Sequence, residues 1–185
     1  MPHWTELGRR LIYDSDWVRI HHLDFKLPDG QTVRNWHLID YPCPAAGIVP
    51  IGDDGRILMV EQYRFTMNRT AWETPGGRID PGETASTAAA RELREETGHA
   101  AERFEFLGAY YPSGGSSNQV FNIFMATGVK KVQELTDTNE VISLRWFTPR
   151  EVSKMIQGGQ IVEGMTLTGL LWASARLGGL LNFAE

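Results

Sequence analysis

Acidic side chains are concentrated in the segment 76–99, which reads GGRIDPGETASTAAARELREETGH. On a helical wheel of roughly 100° per residue, Glu92, Glu95 and Glu96 fall within one arc. Like charges at i and i+4, near the negative end of a helix dipole, destabilise a helix, and a bound cation would remove that conflict. Carboxylate oxygens suit Mg²⁺ or Mn²⁺, and the sequence contains no Cys/His cluster that would favour zinc. If these glutamates bind a metal, the pattern favours magnesium; for the glutamates alone, a solvated acidic helix face is the simpler interpretation.

A short helix is expected to position these glutamates. Between Thr84 and Thr97 the composition changes to Ala, Leu, Glu and Arg, which are strong helix formers. Thr84 can serve as the N-cap, and Gly98 is placed where a left-handed residue ends a helix. A second arc of the wheel is apolar and can pack against a core while the glutamate arc binds a ligand; its members are Ala85, Ala88, Ala89 and Leu93.

The same segment resembles the Nudix box, and eight residues stand at that family's spacing: Gly77, Glu83, Arg91, Glu92, Leu93, Glu95, Glu96 and Gly98. His99 departs from the pattern, because the family usually has an aliphatic residue there, and we interpret it as a packing variation. The resemblance covers the chain from about Ala46 onward. It implies an α/β fold, a Nudix-type α/β/α sandwich with a mixed β-sheet, here with an additional N-terminal β-hairpin subdomain.

The resemblance also implies roles for individual residues. It places a divalent cation, Mg²⁺ or alternatively Mn²⁺, on Glu92, Glu96, Glu95 and the backbone carbonyl of Gly76. Glu95 would bind the metal directly or through water. Arg91 would orient the glutamates and Glu83 would brace the loop. An ordinary i,i+4 ion pair between Arg91 and Glu95 is the simpler interpretation, and it is compatible with this role.

Hydrolysis of a pyrophosphate requires cations to neutralise the phosphate oxygens and a base to accept the proton of the attacking water. The stretch TDTNEV, residues 136–141, resembles the acidic loop that carries the general base in ADP-ribose pyrophosphatases. Glu140 is the first candidate for this base. Asp137 and Glu95 are the alternatives, and Glu140 as a plain surface carboxylate also remains open.

Residues outside the box resemble the ADP-ribose and nucleoside diphosphate sugar branch. The sequences VEQYRF and WETPGGRID place Arg64 and Glu73 at the approach to the metal site. Arg64 can bind a phosphate through two nitrogens, and Glu73 can contact substrate or orient Arg64. A strand-end ion pair between the two is the alternative interpretation of Glu73.

The loop YYPSGGSSNQ, residues 110–119, resembles the proline-containing loop of the same branch. We assign Ser113 and Trp36 to substrate binding, although Trp36 also suits a core or interface position. The branch often has an acidic residue near the end of this loop, where this chain has Asn118 and Gln119. The sequence therefore does not predict which sugar the substrate carries. The Gly/Ser run has no P-loop lysine after it, which favours a flexible connection over a phosphate cradle.

The expected reaction is Mg²⁺-dependent hydrolysis of the pyrophosphate bond of a nucleoside diphosphate sugar of the ADP-ribose, ADP-glucose or GDP-mannose type. The products would be a nucleoside monophosphate and a sugar phosphate. One alternative is a pyrophosphohydrolase for dinucleoside polyphosphates or nucleoside triphosphates. Another, from a different class, is a non-catalytic nucleotide-sugar sensor with the same fold.

The chain is expected to fold as one structural domain with an appendage. Residues 1–44 form a β-rich extension that resembles the dimerisation and substrate-covering subdomain of this branch, so a homodimer is expected. Residues 45–185 form the hydrolase domain. Within it, the apolar runs 46–51 and 57–63 flank an Asp-Asp-Gly turn and are expected to pair as strands. Helices are expected from Pro149 to about Gly158 and around Leu167–Leu177.

Composition excludes several classes. A formal net charge of −5 argues against a basic surface for nucleic acid or an anionic membrane. The single cysteine, Cys43, excludes an intramolecular disulfide and suits a reducing, cytoplasmic location. No targeting segment or membrane span is expected from the sequence.

Overall fold

The computed structural model describes residues 3–136 and 139–183. By its internal contacts, the chain divides into two compact units. The first contains the described residues up to Pro44 together with Tyr111–Val120. The second contains Ala45–Tyr110 and the described residues from Phe121 onward.

The first unit is a three-stranded antiparallel sheet in the order β1-β2-β3, formed by β1 (Thr5–Asp14), β2 (Arg19–Lys26) and β3 (Thr32–Asp40). The expected hairpin is the β2–β3 pair. The loop 111–120 is hydrogen-bonded to β3, since Ile39 N donates to Ser116 O at 2.8 Å and Trp36 Nε1 donates to Gly115 O at 3.2 Å. The Gly/Ser run is therefore tied to a strand at several points, in contrast to the flexible connection expected from its composition.

The described strands of the second unit are β4 (Ala45–Pro50), β5 (Ile57–Arg64), β6 (Arg69–Glu73), β7 (Gly76–Arg78), β8 (His99–Ala100), β9 (Arg103–Tyr110), β10 (Phe121–Thr127), β11 (Lys130–Lys131) and β12 (Val141–Phe147). These described strands form three sheets, with strand orders β7-β4-β10-β9, β12-β5-β6 and β11-β8. The four-stranded sheet is mixed, because β4 runs parallel to β10 and antiparallel to β7.

The expected pairing of the two apolar runs is wrong. β4 and β5 belong to different sheets, and a single bridge, Ile51 to Ile57, connects them. Both strands are buried and need partners on both edges, which β7 and β10 supply to β4, and β6 and β12 to β5. The Asp53–Gly55 turn therefore passes the chain from one sheet to the next.

Within residues 3–136 and 139–183, three helices lie where they are expected: α1 (Ala85–Thr97), α2 (Pro149–Gln157) and α3 (Gly164–Arg176). Alternation along β4 directs its side chains to the two faces of the sheet. Ala46 and Ile48 pack with Ala88 and Leu93 of α1, whereas Val49 packs with residues of α3, namely Leu170 and Ala173. The mixed sheet thus has a helix on each face, and α1 carries the glutamates described below. No helix among the described residues is long and apolar enough to span a membrane.

Candidate active site

Helix α1 is held at both ends by the expected residues. The Thr84 side chain accepts a hydrogen bond from Thr87 N, and the Thr87 hydroxyl accepts one from Thr84 N, which completes a capping box. Gly98 has φ +68° and donates its N–H to Arg94 O at 2.8 Å. Buried Leu93 fixes the rotation of the helix about its axis, and Glu92 and Glu96 are directed toward β7.

Glu96 is the most buried of these glutamates, at 4% exposure. Its Oε1 accepts from Gln62 Nε2 at 3.0 Å, and its Oε2 accepts from Gly76 N at 3.0 Å. Burial raises the pKa of Glu96 to about 8, the Gly76 N–H opposes this, and the nearby Glu92 charge adds to it. A buried carboxylate with a raised pKa gains from a positive charge beside it.

Glu92 lies against Gly77, where a Cβ atom would come within 2.7 Å of Glu92 Cδ. Burial raises the pKa of Glu92, the Arg91 guanidinium lowers it, and the charges of Glu95 and Glu140 raise it further. Glu92 and Glu96 therefore flank the Gly76–Gly77 segment. The influence of Glu140 on Glu92 also places the candidate base near this cluster.

Arg91 connects the acidic groups. Its guanidinium donates to both oxygens of Glu83 at 3.0 Å, to Glu92 Oε1 at 2.9 Å and to Glu95 Oε2 at 3.0 Å. It also donates to Arg78 O at 2.9 Å, and the carboxylate acceptors raise the pKa of Arg91 above its ordinary value. The arginine thus holds the loop before α1, through Glu83, and the helix glutamates in one arrangement. The simple pair with Glu95 is one part of this network.

Arg64 and Glu73 form a two-nitrogen ion pair in which Arg64 Nη2 lies 2.7 Å from Glu73 Oε2 and Nε lies 3.0 Å from Oε1. The Glu73 side chain is 1% exposed and the Arg64 side chain 34% exposed. Burial raises the pKa of Glu73 and Arg64 lowers it, while the pKa of Arg64 is raised by Glu73 and also by the charges of Glu96 and Glu163. Arg64 is thus positioned, partly exposed, near the Glu96 carboxylate.

Four further residues were singled out from the sequence, namely Ser113, Trp36, Asp137 and His99. Ser113 and Trp36 belong to the first unit, where Ser113 Oγ pairs with Ser116 Oγ at 2.7 Å and Trp36 donates to Gly115 O. Asp137 lies outside the described residues. His99 is buried, donates through Nδ1 to Thr97 O at 2.7 Å and contacts the Trp146 ring edge-on.

Sequence reasoning did not identify Gln62, although its side chain binds Glu96 directly. It stands two residues before Arg64 in the motif EQYR, but an isolated glutamine in an apolar run gives no chemical signal of its own. The buried pairing across 34 positions becomes visible only in the fold.

The donor set fits a hard divalent cation. Glu96 is buried and Glu92 is partly buried, both have a raised pKa, and both present only oxygen ligands. Within the described ranges, no group of three or more His, Cys, Asp or Glu side chains is arranged so that it could hold a metal ion, so the fit rests on these two carboxylates. Arg91 binds the Glu92 and Glu95 oxygens, so those carboxylates are shared between the arginine and any cation. Glu92 and Glu96 are the residues that would hold the metal.

A sequence model of the NUDIX domain matches residues 42–163. The chain belongs to the Nudix family. The expected Nudix hydrolase, an enzyme acting on phosphorus-containing anhydrides, is therefore confirmed. Nudix hydrolases generally use divalent metal ions.

Several known proteins are similar to this Nudix hydrolase over most of its length. A protein of Streptomyces rubellomurinus named CMP-5'-(N-acetyl-N-hydroxy-3-aminopropyl)phosphonate hydrolase is 34% identical over 95% of this chain and 84% of its own length. The ADP-ribose pyrophosphatase of Bacillus subtilis is 26% identical over 86% of each chain. A solved structure titled as an ADP compounds hydrolase matches with a TM-score of 0.83 at 22% identity, covering 96% of this chain and 94% of that one. This likeness confirms the expected mixed α/β fold.

Replacing Gly77 with alanine tests the position of Glu92. We expect Gly77→Ala to lower kcat roughly 10- to 100-fold, the effect typical of disturbing groups around a metal ligand, because the new methyl displaces the Glu92 carboxylate. The unfolding temperature should change little, since the displaced group is the end of a flexible side chain. Turnover and thermal unfolding of the variant and the parent measure the two effects.

Two other glycines serve as controls for Gly77→Ala. Gly164→Ala adds a methyl where nothing lies within 4 Å and should leave both quantities unchanged. Gly76→Ala brings Cβ within 2.5 Å of the Ala46 carbonyl oxygen and should destabilise the fold itself. Unchanged turnover in Gly77→Ala would contradict the placement of Glu92 in the catalytic site.

The raised pKa of Glu96 predicts a pH-dependent effect of added cation. Between the ordinary pKa of 4.5 and about 8, the folded chain binds more protons than the unfolded chain, so this group's contribution to stability falls as pH rises. Cation binding requires the ionised form and therefore competes with protons. We expect Mg²⁺ to raise the unfolding temperature more at about pH 8 than at about pH 6. An equal increase at both pH values would contradict this linkage.

Proposed function

We propose that this Nudix hydrolase cleaves the pyrophosphate bond of a nucleoside diphosphate sugar of the ADP-ribose type, using Mg²⁺. The observation that carries the proposal is the pair of Glu96, which is buried, and Glu92, which is partly buried, with Arg64 and Glu140 near it. The names of the Bacillus subtilis relative and of a Mycobacterium tuberculosis relative, which is 35% identical over 69% of this chain, support the substrate class.

Each side chain has a part in the proposed reaction. Glu92 and Glu96 would hold the cation, which would supply positive charge to neutralise phosphate oxygens and to make the attacking water more acidic. Glu95, directly or through water, and the Gly76 carbonyl would also contribute to holding it. Arg91 keeps the glutamates in place through its hydrogen bonds to Glu92 and Glu95.

Arg64 binds a phosphate of the substrate, oriented by its pair with Glu73. Glu140 accepts a proton from water while the water oxygen forms a bond to one phosphorus atom. The bridging P–O bond breaks, and the electron pair stays with the departing phosphate. The products are a nucleoside monophosphate and a sugar phosphate. Ser113 and Trp36 contact the substrate in this proposal.

A second candidate substrate class is a CMP-linked phosphonate. The relative from Streptomyces rubellomurinus favours it, because 34% identity extends over 95% of this chain, including the first unit. Asn118, which stands where ADP-ribose pyrophosphatases often have an acid, binds Tyr41 N through Oδ1 at 2.7 Å and Asp40 Oδ1 through Nδ2 at 2.5 Å. This loop therefore differs from that of the ADP-ribose branch at Asn118, and the difference is compatible with a substrate other than ADP-ribose.

A substrate panel decides between these functions. ADP-ribose, ADP-glucose, GDP-mannose, a CMP-linked phosphonate, diadenosine polyphosphates and nucleoside triphosphates are incubated with Mg²⁺ or with chelator, and the phosphate products are separated. Turnover of diphosphate sugars that disappears with chelator is expected. Turnover of the CMP-linked compound alone would support the second candidate. Tight binding without any turnover would indicate a sensor and contradict both.

The first unit supports the proposed homodimer. β1 is an edge strand exposed along its whole length, and it carries Leu7, Leu11, Ile12 and Tyr13, each more than half exposed. Exposed apolar edge strands tend to pair with another chain. We expect light scattering to give about twice the mass of the chain, and Leu11→Asp to shift the protein toward the monomer. A monomeric parent at micromolar concentration would contradict the dimer.

A further inference from the structure

Gln62 is a buried polar residue in an otherwise apolar part of strand β5. Its side chain is 2% exposed, and the strand residues Ile57 to Val60 before it are completely buried. Burying an amide destabilises a fold unless hydrogen bonds compensate for the lost water. Only one end of this amide is satisfied, because Gln62 Oε1 has no hydrogen-bond partner within the described part of the chain.

The satisfied end binds Glu96. Gln62 Nε2 donates to Glu96 Oε1 at 3.0 Å, and Gly76 N donates to Glu96 Oε2 at 3.0 Å. These donors come from β5 and β7, which belong to different sheets. The carboxylate cannot rotate about its terminal bond without losing one of them, so its plane is fixed by the fold.

The hydrogen bonds from Gln62 and Gly76 to Glu96 are of the kind that fix the orientation of a metal-binding carboxylate. Groups that hydrogen-bond a ligating side chain fix its orientation, and their removal typically weakens metal affinity or activity about 10- to 100-fold. The donor end of Gln62 faces the carboxylate, which can only accept when ionised. The strand tolerates an unpaired acceptor at the other end, which indicates that the bond to Glu96 is the feature this residue supplies.

We infer that Gln62 is a positioning residue that fixes the Glu96 carboxylate for binding a divalent cation. The inference rests on the proposed role of Glu96 as a metal ligand. Gln62 acts through Glu96 and has no contact with the reacting phosphate. Its loss therefore changes metal affinity first and turnover only as a consequence.

Binding of Mn²⁺, followed by the electron paramagnetic resonance signal of the free ion, tests this inference without turnover. Gln62→Met keeps the side-chain length, removes the donor to Glu96 and also removes the unpaired acceptor, so the variant is expected to fold. We expect its dissociation constant for Mn²⁺ to rise about 10- to 100-fold. In the Glu96→Gln background, the same substitution should produce no further change in that constant.

Glu61→Gln is the matched control. Glu61 is adjacent on the same strand, its side chain is directed to the opposite face, and it accepts from Ser143 Oγ at 2.6 Å. The Mn²⁺ affinity of the Glu61→Gln variant should equal that of the parent. In turnover assays, excess metal should restore most of the kcat of Gln62→Met, with the KM for the nucleotide substrate unchanged.

Three outcomes would overturn the inference. Parental Mn²⁺ affinity in Gln62→Met would show that the hydrogen bond does not control the ligand. A higher KM with unchanged Mn²⁺ affinity would show that Gln62 contacts substrate. A parent chain that binds no Mn²⁺ would refute the inference together with the metal role of Glu96, whereas the first two outcomes leave the proposed function intact.

Discussion

Glu96→Gln should lose most of its turnover while the chain remains folded. The amide has the size of the carboxylate but lacks the charge that binds a cation, and only one of its terminal atoms can accept from Gln62 or Gly76. We expect kcat to fall about 10²- to 10³-fold, the scale observed when one group that stabilises transition-state charge is removed. Steady-state kinetics with Mg²⁺ measures the loss, and circular dichroism verifies the fold.

A metal-binding readout separates this loss from a general defect. The parent's unfolding temperature should rise when Mg²⁺ is added, and the rise should be largely absent in Glu96→Gln. Ser143→Ala, which alters a hydrogen bond to Glu61 on the other face of β5, is a suitable comparison and should keep both turnover and the metal effect. A Glu96→Gln variant as active as the parent would refute the assignment of Glu96 as a ligand.

The helices of this fold could be predicted from local chemistry alone. Thr84 and Gly98 mark the ends of α1, and Pro149 marks the start of α2, because caps and proline act within one turn. The long-range partners of the strands could not be predicted in this way. The turn between β4 and β5 suggested a hairpin, but both strands are buried on both edges, and their partners lie elsewhere in the sequence.

The first strand shows another limit of sequence reasoning. β1 contains Glu6, Gly8, Arg9 and Arg10, and all of its residues are exposed in the chain considered alone. No face is buried, so no alternation of apolar and polar residues marks it as a strand. Its register with β2 also has two irregularities, which would disturb a period of two in any case.

Some residues of the candidate site could be predicted from the sequence and others could not. The helix glutamates and Arg91 lie within one short segment, so their spacing alone indicates a cluster. The pair of Arg64 with Glu73 was one of the interpretations that the sequence left open, and the fold places the two residues on adjacent strands of one sheet. Gln62 was missed because its hydrogen bond to Glu96 joins β5 to α1 across 34 positions, which no local pattern encodes.

The candidate base, Glu140, is positioned by the elements on either side of it. Val141 begins β12 and pairs with Gln62, the residue that binds Glu96. Before the loop, Val132 N and Gln133 N both donate to Gly98 O, and Thr136 Oγ1 donates to Glu95 O at 3.2 Å. The segment is therefore attached to the last turn of α1 on one side and to β5 on the other. The charge of Glu140 raises the pKa of Glu92, as expected for two carboxylates that lie near each other.

Glu140→Gln should consequently lower kcat about 10²- to 10⁴-fold, the contribution typical of a general base, with little change in KM. The amide keeps the size of the side chain but cannot accept the proton of the attacking water. Asp137→Asn and Glu95→Gln, measured in parallel, test the alternative bases, and each should retain more turnover than Glu140→Gln. Mn²⁺ affinity should stay at the parental value in Glu140→Gln, because a base is not a metal ligand. If Asp137→Asn or Glu95→Gln shows the larger loss of kcat, the base is that residue and Glu140 is a surface carboxylate near Glu92.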